Sequence, residues 1–263
     1  MQNSGWVDVG GIRVFVQERG TGIPLIFIHP PLLTGSNFYH QWVSLSQYFR
    51  VILFDIRGHG QSDASTTPIS YGLIVQDMER ILDALGIDQV FCCGYSTGTS
   101  VALEFTLTRP ERCRGIVLLS GMSGVYDRGL RQQIQLAVRM ADSPLFPVLA
   151  ASIAWGNHDS PWIFKRFFQE ARQGDQQNIA QYYRYSLFYD CFARLKEVTS
   201  PTLLLCGGKD DRYQRYGELL HREIPHSKLM VIPEAKHQLP TKWAAETNQA
   251  IIQFIKNDGG NGE

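Results

Sequence analysis

The stretch Val90-Phe-Cys-Cys-Gly94-Tyr95-Ser96-Thr97-Gly98-Thr-Ser-Val101 decides how this chain is read. An apolar run rich in β-formers, Val90–Cys93, leads into Gly94-Tyr95-Ser96-Thr97-Gly98. A helical pattern opens at Thr97, with Val101, Ala102 and Phe105 on one face. Strand, sharp turn and helix around G-x-S-x-G is the context in which a serine hydroxyl is held clear of a sheet edge. The flanking glycines let the turn come close to neighbouring elements, and the hydroxyl sits near the positive end of the helix dipole. Ser96 is the candidate nucleophile. Ser123, in Gly121-Met-Ser-Gly124, also follows a strand pattern, but its spacing is wrong.

Working outward, five more short apolar runs appear: Leu25–Ile28, Val51–Phe54, Ile116–Leu119, Thr202–Cys206 and Lys228–Ile232. Runs apolar on both faces suit a parallel sheet covered on both sides. Trp6–Val9 and Ile12–Val16 flank Gly10-Gly11, which predicts an N-terminal hairpin. Tyr71–Leu85 carries a stripe of 3.6-residue period and stops at Gly86, and Trp243–Ile255 closes the chain as a further helix. The fold class is therefore α/β: a mostly parallel sheet of about eight strands with helices on both faces. The polar, Gly-rich tail 256–263 is expected to fray.

Composition narrows the function. At 263 residues one domain is expected from length, with two small ones as the alternative. Lys+Arg 25 balances Asp+Glu 25, which argues against nucleic acid as a partner. Hydrophobic residues at 44% and charged ones at 19% exclude general disorder. No apolar stretch approaches the roughly 18–20 residues of a membrane span, and the N-terminus does not read as a signal peptide. Cys92, Cys93, Cys113, Cys191 and Cys206 lack metal-ligand spacing and read as buried thiols in a reducing compartment, so a cytoplasmic location is expected.

A serine nucleophile needs a base and an acid that orients it. Of seven histidines, His237 follows the last strand run and precedes the final helix, as the chain order Ser…Asp…His asks. His221 and His226 read as surface groups. Two acids, Asp210 and Asp211, follow the strand run ending at Cys206, and spacing alone leaves both open. Asp210 is preferred, with Asp211 solvated or paired with Arg212.

On these residues the chain resembles the α/β-hydrolase superfamily, in its cap-bearing single-domain form. The resemblance spans the hairpin, Ile28-His29, Asp55-Ile-Arg57-Gly58-His59-Gly60-Gln-Ser62, the Gly94–Gly98 elbow, Asp210 and His237. It implies that His59 shapes a loop and is not catalytic, and Gly207-Gly-Lys-Asp210 is the better match to the family's acid motif. It also implies that 1–121 and 199–263 form the hydrolase core and that 122–198, where no strand is evident, is an inserted helical lid. The lid aromatics Trp155, Trp162, Phe164, Phe168, Tyr185 and Phe188, with Tyr95 of the elbow, are candidates to line a pocket for an apolar or aryl-bearing substrate.

One departure stands out. Where family members carry His-Gly-x, and the N–H of x helps to hold the oxyanion, this chain reads His29-Pro30-Pro31-Leu32-Leu33. Pro31 has no N–H. Thr97 N–H remains, and the second donor is expected from Leu32 N–H or from a side chain such as Thr34 or Ser36. Removing one such donor costs roughly 2.7–4 kcal/mol of barrier stabilisation.

The function expected is hydrolysis of a small carboxylic ester or lactone through an acyl-enzyme on Ser96, with no metal and no organic cofactor, in a monomer or homodimer. The same scaffold also implies C–C hydrolases, amidases and aminopeptidases as alternatives, and slow or non-catalytic ligand receptors. An aminopeptidase would need lid carboxylates, for which Asp159, Glu170, Asp175 and Asp190 are available.

Overall fold

Leu25 and Phe27 face one side of a sheet and Ile26 and Ile28 the other, and all four are fully buried. This two-sided burial is the rule for the central strands of the computed structural model, which describes residues 2–259. Eight strands form one sheet: β1 (Gln2–Asp8), β2 (Arg13–Arg19), β3 (Pro24–Ile28), β4 (Arg50–Phe54), β5 (Val90–Tyr95), β6 (Cys113–Leu119), β7 (Thr202–Gly207) and β8 (Ser227–Ile232). Their order is β1-β2-β4-β3-β5-β6-β7-β8. β1 and β2 are antiparallel to their neighbours, and every pairing from β4 to β8 is parallel.

Helices cover both faces. On one side α2 (Tyr71–Ala84) and α3 (Gly98–Thr108) bury Ile74, Met78, Val101 and Phe105 against Ile26, Ile52 and Ile116. On the other, α1 (Tyr39–Leu45) and the C-terminal helix bury Trp42, Ile251 and Phe254 against Phe27, Val51 and Leu203. Between β6 and β7 the chain inserts α4 (Arg128–Ala141), α5 (Phe146–Asn157), α6 (Pro161–Gln173) and α7 (Gln176–Ser186), followed by a 3-10 turn at Phe192–Glu197. Gly124 and Asp190 pair as an antiparallel bridge across the ends of this insertion. After β7 come α8 (Asp211–Glu223), then α9 (Leu239–Lys242) and α10 (Ala244–Gly259).

Two expectations change in detail. Part of the tail expected to fray, 256–259, continues α10, and 260–263 lie outside the described residues. β8 is not covered on both faces: it is the sheet edge, and Met230 and Val231 are exposed. The five cysteines are all free and buried. Among the described residues no helix is long and apolar enough to cross a membrane.

The topology fixes where a ligand can go. β4 lies on one side of β3 and β5 on the other, so the chain reverses its winding there. Open α/β sheets bind ligands outside the carboxyl ends of the strands at such a reversal. The loops after β3, β5, β7 and β8 carry His29–Ser36, Ser96, Asp210 and His237 to that edge.

Candidate active site

The elbow after β5 is built by close approach. A Cβ on Gly94 would lie 2.5 Å from the carbonyl oxygen of Gly98, and one on Gly98 would lie 2.1 Å from that of Ile28. Only glycine fits either place. Ser96, between them, has φ +52°, a left-handed conformation that side chains disfavour by about 1–2 kcal/mol. Its N–H is tied to Leu119 O at 2.9 Å, so the sheet holds the turn in this shape. Thr97 is the N-cap of α3, at the end of the helix where backbone N–H groups lack intrahelical partners.

Three side chains from three loops form a hydrogen-bonded chain. Ser96 Oγ lies 3.1 Å from His237 Nε2, and His237 Nδ1 lies 3.1 Å from Asp210 Oδ2. Asp210 is also the N-cap of α8, where Oδ1 accepts from the N–H of Tyr213 at 3.3 Å. Burial works to raise the Asp210 carboxyl, but the hydrogen bond and charge of His237, with the Tyr213 N–H, hold it below the ordinary carboxylate range. It is thus an anion suited to fix the imidazole with Nδ1 protonated and Nε2 free to accept from Ser96. Asp211, one residue on, is exposed and begins the helix. The imidazole packs against two phenol rings, Tyr213 at 4.1 Å and Tyr95 at 5.2 Å between centroids.

The other two histidines of this region are struts. His29 Nδ1 donates to Pro30 O (2.9 Å), and Nε2 accepts from the N–H of Ile56 (2.9 Å). Burial pushes its pKa well below the usual value. His59 is buried against Arg57 O, and burial lowers its pKa to about 4. Both therefore stay neutral; His29 ties the loop after β3 to the loop after β4, and His59 packs its ring 5.2 Å from that of His29. Asp55 joins them by accepting from the N–H groups of Gly35 and Gln61.

A cavity of about 250 Å³ opens over Ser96 and His237. Its walls come from Pro30, Pro31 and Leu33 of the core, and from Leu130, Ile134 and Ile153 of α4 and α5. Asn157, Tyr183, Tyr213 and Gln238 add polar groups, and Asn157 Oδ1 accepts from the hydroxyl of Tyr95 (3.1 Å). None of the lining residues is Asp, Glu, Lys or Arg.

Of the aromatics expected here, Tyr95 reaches the cavity and six do not. Trp155, Trp162 and Phe188 point outward, at 67%, 52% and 78% exposure. Phe164 and Phe168 stack on each other at 6.1 Å and pack with the cluster of Ala154, Ile163 and Phe167. Tyr185 packs on Tyr71 and Tyr189, away from Ser96. The physical reason is helical phase. In α5 the inward face runs Phe146, Leu149/Ala150, Ile153/Ala154 and Asn157, leaving Trp155 about half a turn away, on the opposite face. Sequence reading followed ring size and missed the smaller residues that this phase turns inward.

Around the missing Pro31 donor the structure is specific. Leu32 adopts φ +72°, and its side chain is buried in the apolar cluster with Leu130 and Ile134, so Leu33 and not Leu32 faces the cavity. The hydroxyls of Thr34 and Ser36 both donate to Glu170 of α6, Thr34 at 2.5 Å. Neither is left over for an oxyanion.

Comparison with known proteins follows this geometry. A family model described as the alpha/beta hydrolase fold matches residues 23–154. The 2-hydroxy-6-oxo-6-phenylhexa-2,4-dienoate hydrolase of Burkholderia cepacia is 27% identical, over 95% of this chain and 93% of its own. Proline iminopeptidase of Heyndrickxia coagulans is 28% identical over 98% and 99%. Among solved structures, an esterase from Exiguobacterium antarcticum superposes with a TM-score of 0.86 at 20% identity, covering 97% of this chain and all of that one. The matched half of the chain runs from β3 into α5 and holds the Ser96 elbow, and the topology agrees throughout: this chain belongs to the α/β-hydrolase family.

Proposed function

We propose that the protein is a serine hydrolase of small, uncharged carboxylic esters or lactones, with 122–198 acting as a cap over the site. The observation that carries this reading is the Ser96–His237–Asp210 chain beneath a cavity whose walls hold no Asp, Glu, Lys or Arg. Ser96 Oγ attacks the acyl carbon while His237 Nε2 takes its proton and then delivers it to the leaving oxygen. Asp210 holds the imidazole in the tautomer this needs. Thr97 N–H, with Leu32 N–H as the loop donor, faces the developing oxyanion. Water repeats the sequence on the acyl-enzyme and releases the acid. The chemistry calls for no metal or organic cofactor.

The relatives cleave different bonds, so the choice among them rests on the cavity. A substrate amine would want a carboxylate, yet the inserted helices' acids are engaged elsewhere. Glu170 binds Arg166, Thr34 and Ser36; Asp159 binds His40; Asp175 caps α7; Asp190 accepts from Tyr126. A substrate carboxylate would want a cation, and the lining supplies none beyond His237. The apolar walls from Leu33, Leu130, Ile134 and Ile153 suit an uncharged acyl group.

The test is a fluorophosphonate probe with peptide mapping, followed by p-nitrophenyl esters of graded acyl length and matched aminoacyl amides. A single adduct on Ser96 and a preference for short neutral esters are expected. Faster turnover of aminoacyl amides would overturn the ester assignment. A folded protein that takes no adduct and cleaves no ester would favour a ligand-binding role, which the proline at position 31 would then explain.

A further inference from the structure

Among the described residues the N–H groups of Leu32, Leu33 and Thr97 have no hydrogen-bond partner in the protein. Pro31, Leu33 and Thr97 line the cavity beside Ser96. Leu32 stands at φ +72°, a conformation that side chains disfavour, so the loop needs outside support to keep this shape. The core's hydrogen bonds hold its two ends. His29 Nε2 accepts from the N–H of Ile56 at 2.9 Å, and the N–H of Gly35 donates to Asp55 Oδ1 at 2.9 Å.

The middle of the loop is held by the inserted helices. Leu32 is buried in the apolar cluster of Leu130 and Ile134, and Leu33 in that of Ile163 and Phe167. Tyr183 of α7 donates to Pro31 O at 3.5 Å. The charged tie is Glu170 of α6. Its Oε2 accepts from the hydroxyl of Thr34 at 2.5 Å and from that of Ser36. Hydrogen bonds to an ionised acceptor are about twice as strong as neutral ones. The Thr34 hydroxyl accepts in turn from the N–H of Ser36 at 3.2 Å, so the carboxylate reaches the backbone through this side chain. Glu170 Oε1 accepts from Arg166 Nε at 2.8 Å, and the Arg166 guanidinium lies over the rings of Tyr39 and Trp162.

We propose that Glu170 is a positioning residue for the oxyanion donor. By binding Thr34 and Ser36 it holds the loop in the turn that aims the Leu32 N–H at the substrate's carbonyl oxygen, so the oxyanion site is complete when the inserted helices are seated. The proposal rests on the serine-hydrolase reading above. Glu170 does not line the cavity, so it acts through the loop. Its effect falls on the step in which negative charge builds on that oxygen, and leaves binding of the neutral ester nearly unchanged.

The experiment compares wild type, Glu170→Ala and Asp159→Asn. Asp159 ties the same insertion to the core through His40 of α1, at 2.6 Å, and not to the loop. Three quantities are read: kcat and KM for a p-nitrophenyl ester, and inhibition by a trifluoromethyl ketone. Ser96 Oγ adds to the ketone carbon, its proton passes to His237, and the carbonyl electron pair becomes an oxyanion. For Glu170→Ala, kcat should fall about 10- to 100-fold, KM should stay within about threefold, and the ketone should weaken by the same factor as kcat. Asp159→Asn should stay within about threefold in all three. An unchanged kcat in Glu170→Ala, a loss confined to KM, or an equal loss in Asp159→Asn would overturn the role of Glu170. A wild type that neither cleaves the ester nor binds the ketone would instead overturn the hydrolase reading itself. Should Glu170→Ala fail to fold, Ser36→Ala removes one of the two bonds from the core side. A kcat about three- to tenfold lower at unchanged KM then supports the proposal, and an unchanged kcat overturns it.

Discussion

Asp210 Oδ2 and His237 Nδ1 meet at 3.1 Å across two loops that share no sequence neighbourhood, while Asp211 beside them is exposed. Asp210→Asn should lower kcat/KM for an ester by about 10³–10⁴, because the amide supports the wrong imidazole tautomer. Asn is also a good helix cap, so Tm should change little. Asp211→Asn should stay within about twofold of wild type. Esterase kinetics and thermal denaturation of the two variants check this, and comparable losses would reverse the choice of acid.

Strain at Ser96 can be measured separately from its chemistry. Ser96→Ala and Ser96→Gly should both abolish turnover, but only glycine tolerates φ +52° freely. The glycine variant should be more stable than the alanine variant by about 1 kcal/mol. Urea unfolding of the pair would decide. Equal midpoints would mean that the elbow stores no strain.

The cavity walls predict where specificity changes. Ile153 lines the cavity and Trp155, two residues later, faces solvent. Ile153→Ala should shift preference toward longer acyl chains by about tenfold in kcat/KM. Trp155→Ala and Phe188→Ala should leave the acyl-length profile within about twofold. A changed profile in either of these two would place the substrate elsewhere.

Two buried neutral histidines make the fold sensitive to acid. Burial lowers the pKa of His59 to about 4 and that of His29 well below its ordinary value of 6.5. Below pH 6.5 the unfolded chain therefore binds protons that the folded chain does not, and stability falls as the pH drops from about 6.5 toward 4. Asp55, raised by burial to about 7, opposes this by binding a proton in the folded state over much of the same range. His59→Asn should flatten the acid side of the stability curve, read as urea midpoints at pH 4.5, 5.5 and 7. An unchanged slope would remove His59 from the account.

Much of this was legible in the sequence for a physical reason. Runs such as Leu25–Ile28 and Thr202–Cys206 are apolar on both faces because both faces are covered. Gly94 and Gly98 mark the elbow because no larger residue fits there. His237 could be found from its place after a strand, and the acid narrowed to Asp210 or Asp211 by the same signal. The cavity was not legible in the same way. Ile134, Ile153 and Asn157 carry no chemical signature, and only the phase of α4 and α5 turns them inward. Tyr213 was equally silent, since only the cap of α8 brings its ring over His237. The side chain of Leu32 could not be placed from sequence because a left-handed leucine is unusual, and nothing local announces it.

Gly124 and Asp190 clasp the two ends of the inserted helices in a single bridge. To the sheet, everything between them is a closed loop that leaves and returns at one point. Closure entropy grows only with the logarithm of loop length, so this long excursion costs roughly 2 kcal/mol more than a tight turn would. The roof of the cavity can therefore be exchanged for one with other helices, joined at the same two residues, while β6 and β7 keep their register. Such an exchange must remake the other ties of roof to floor, among them Glu170 with Thr34 and Ser36 and the Tyr182 hydroxyl with His29 O.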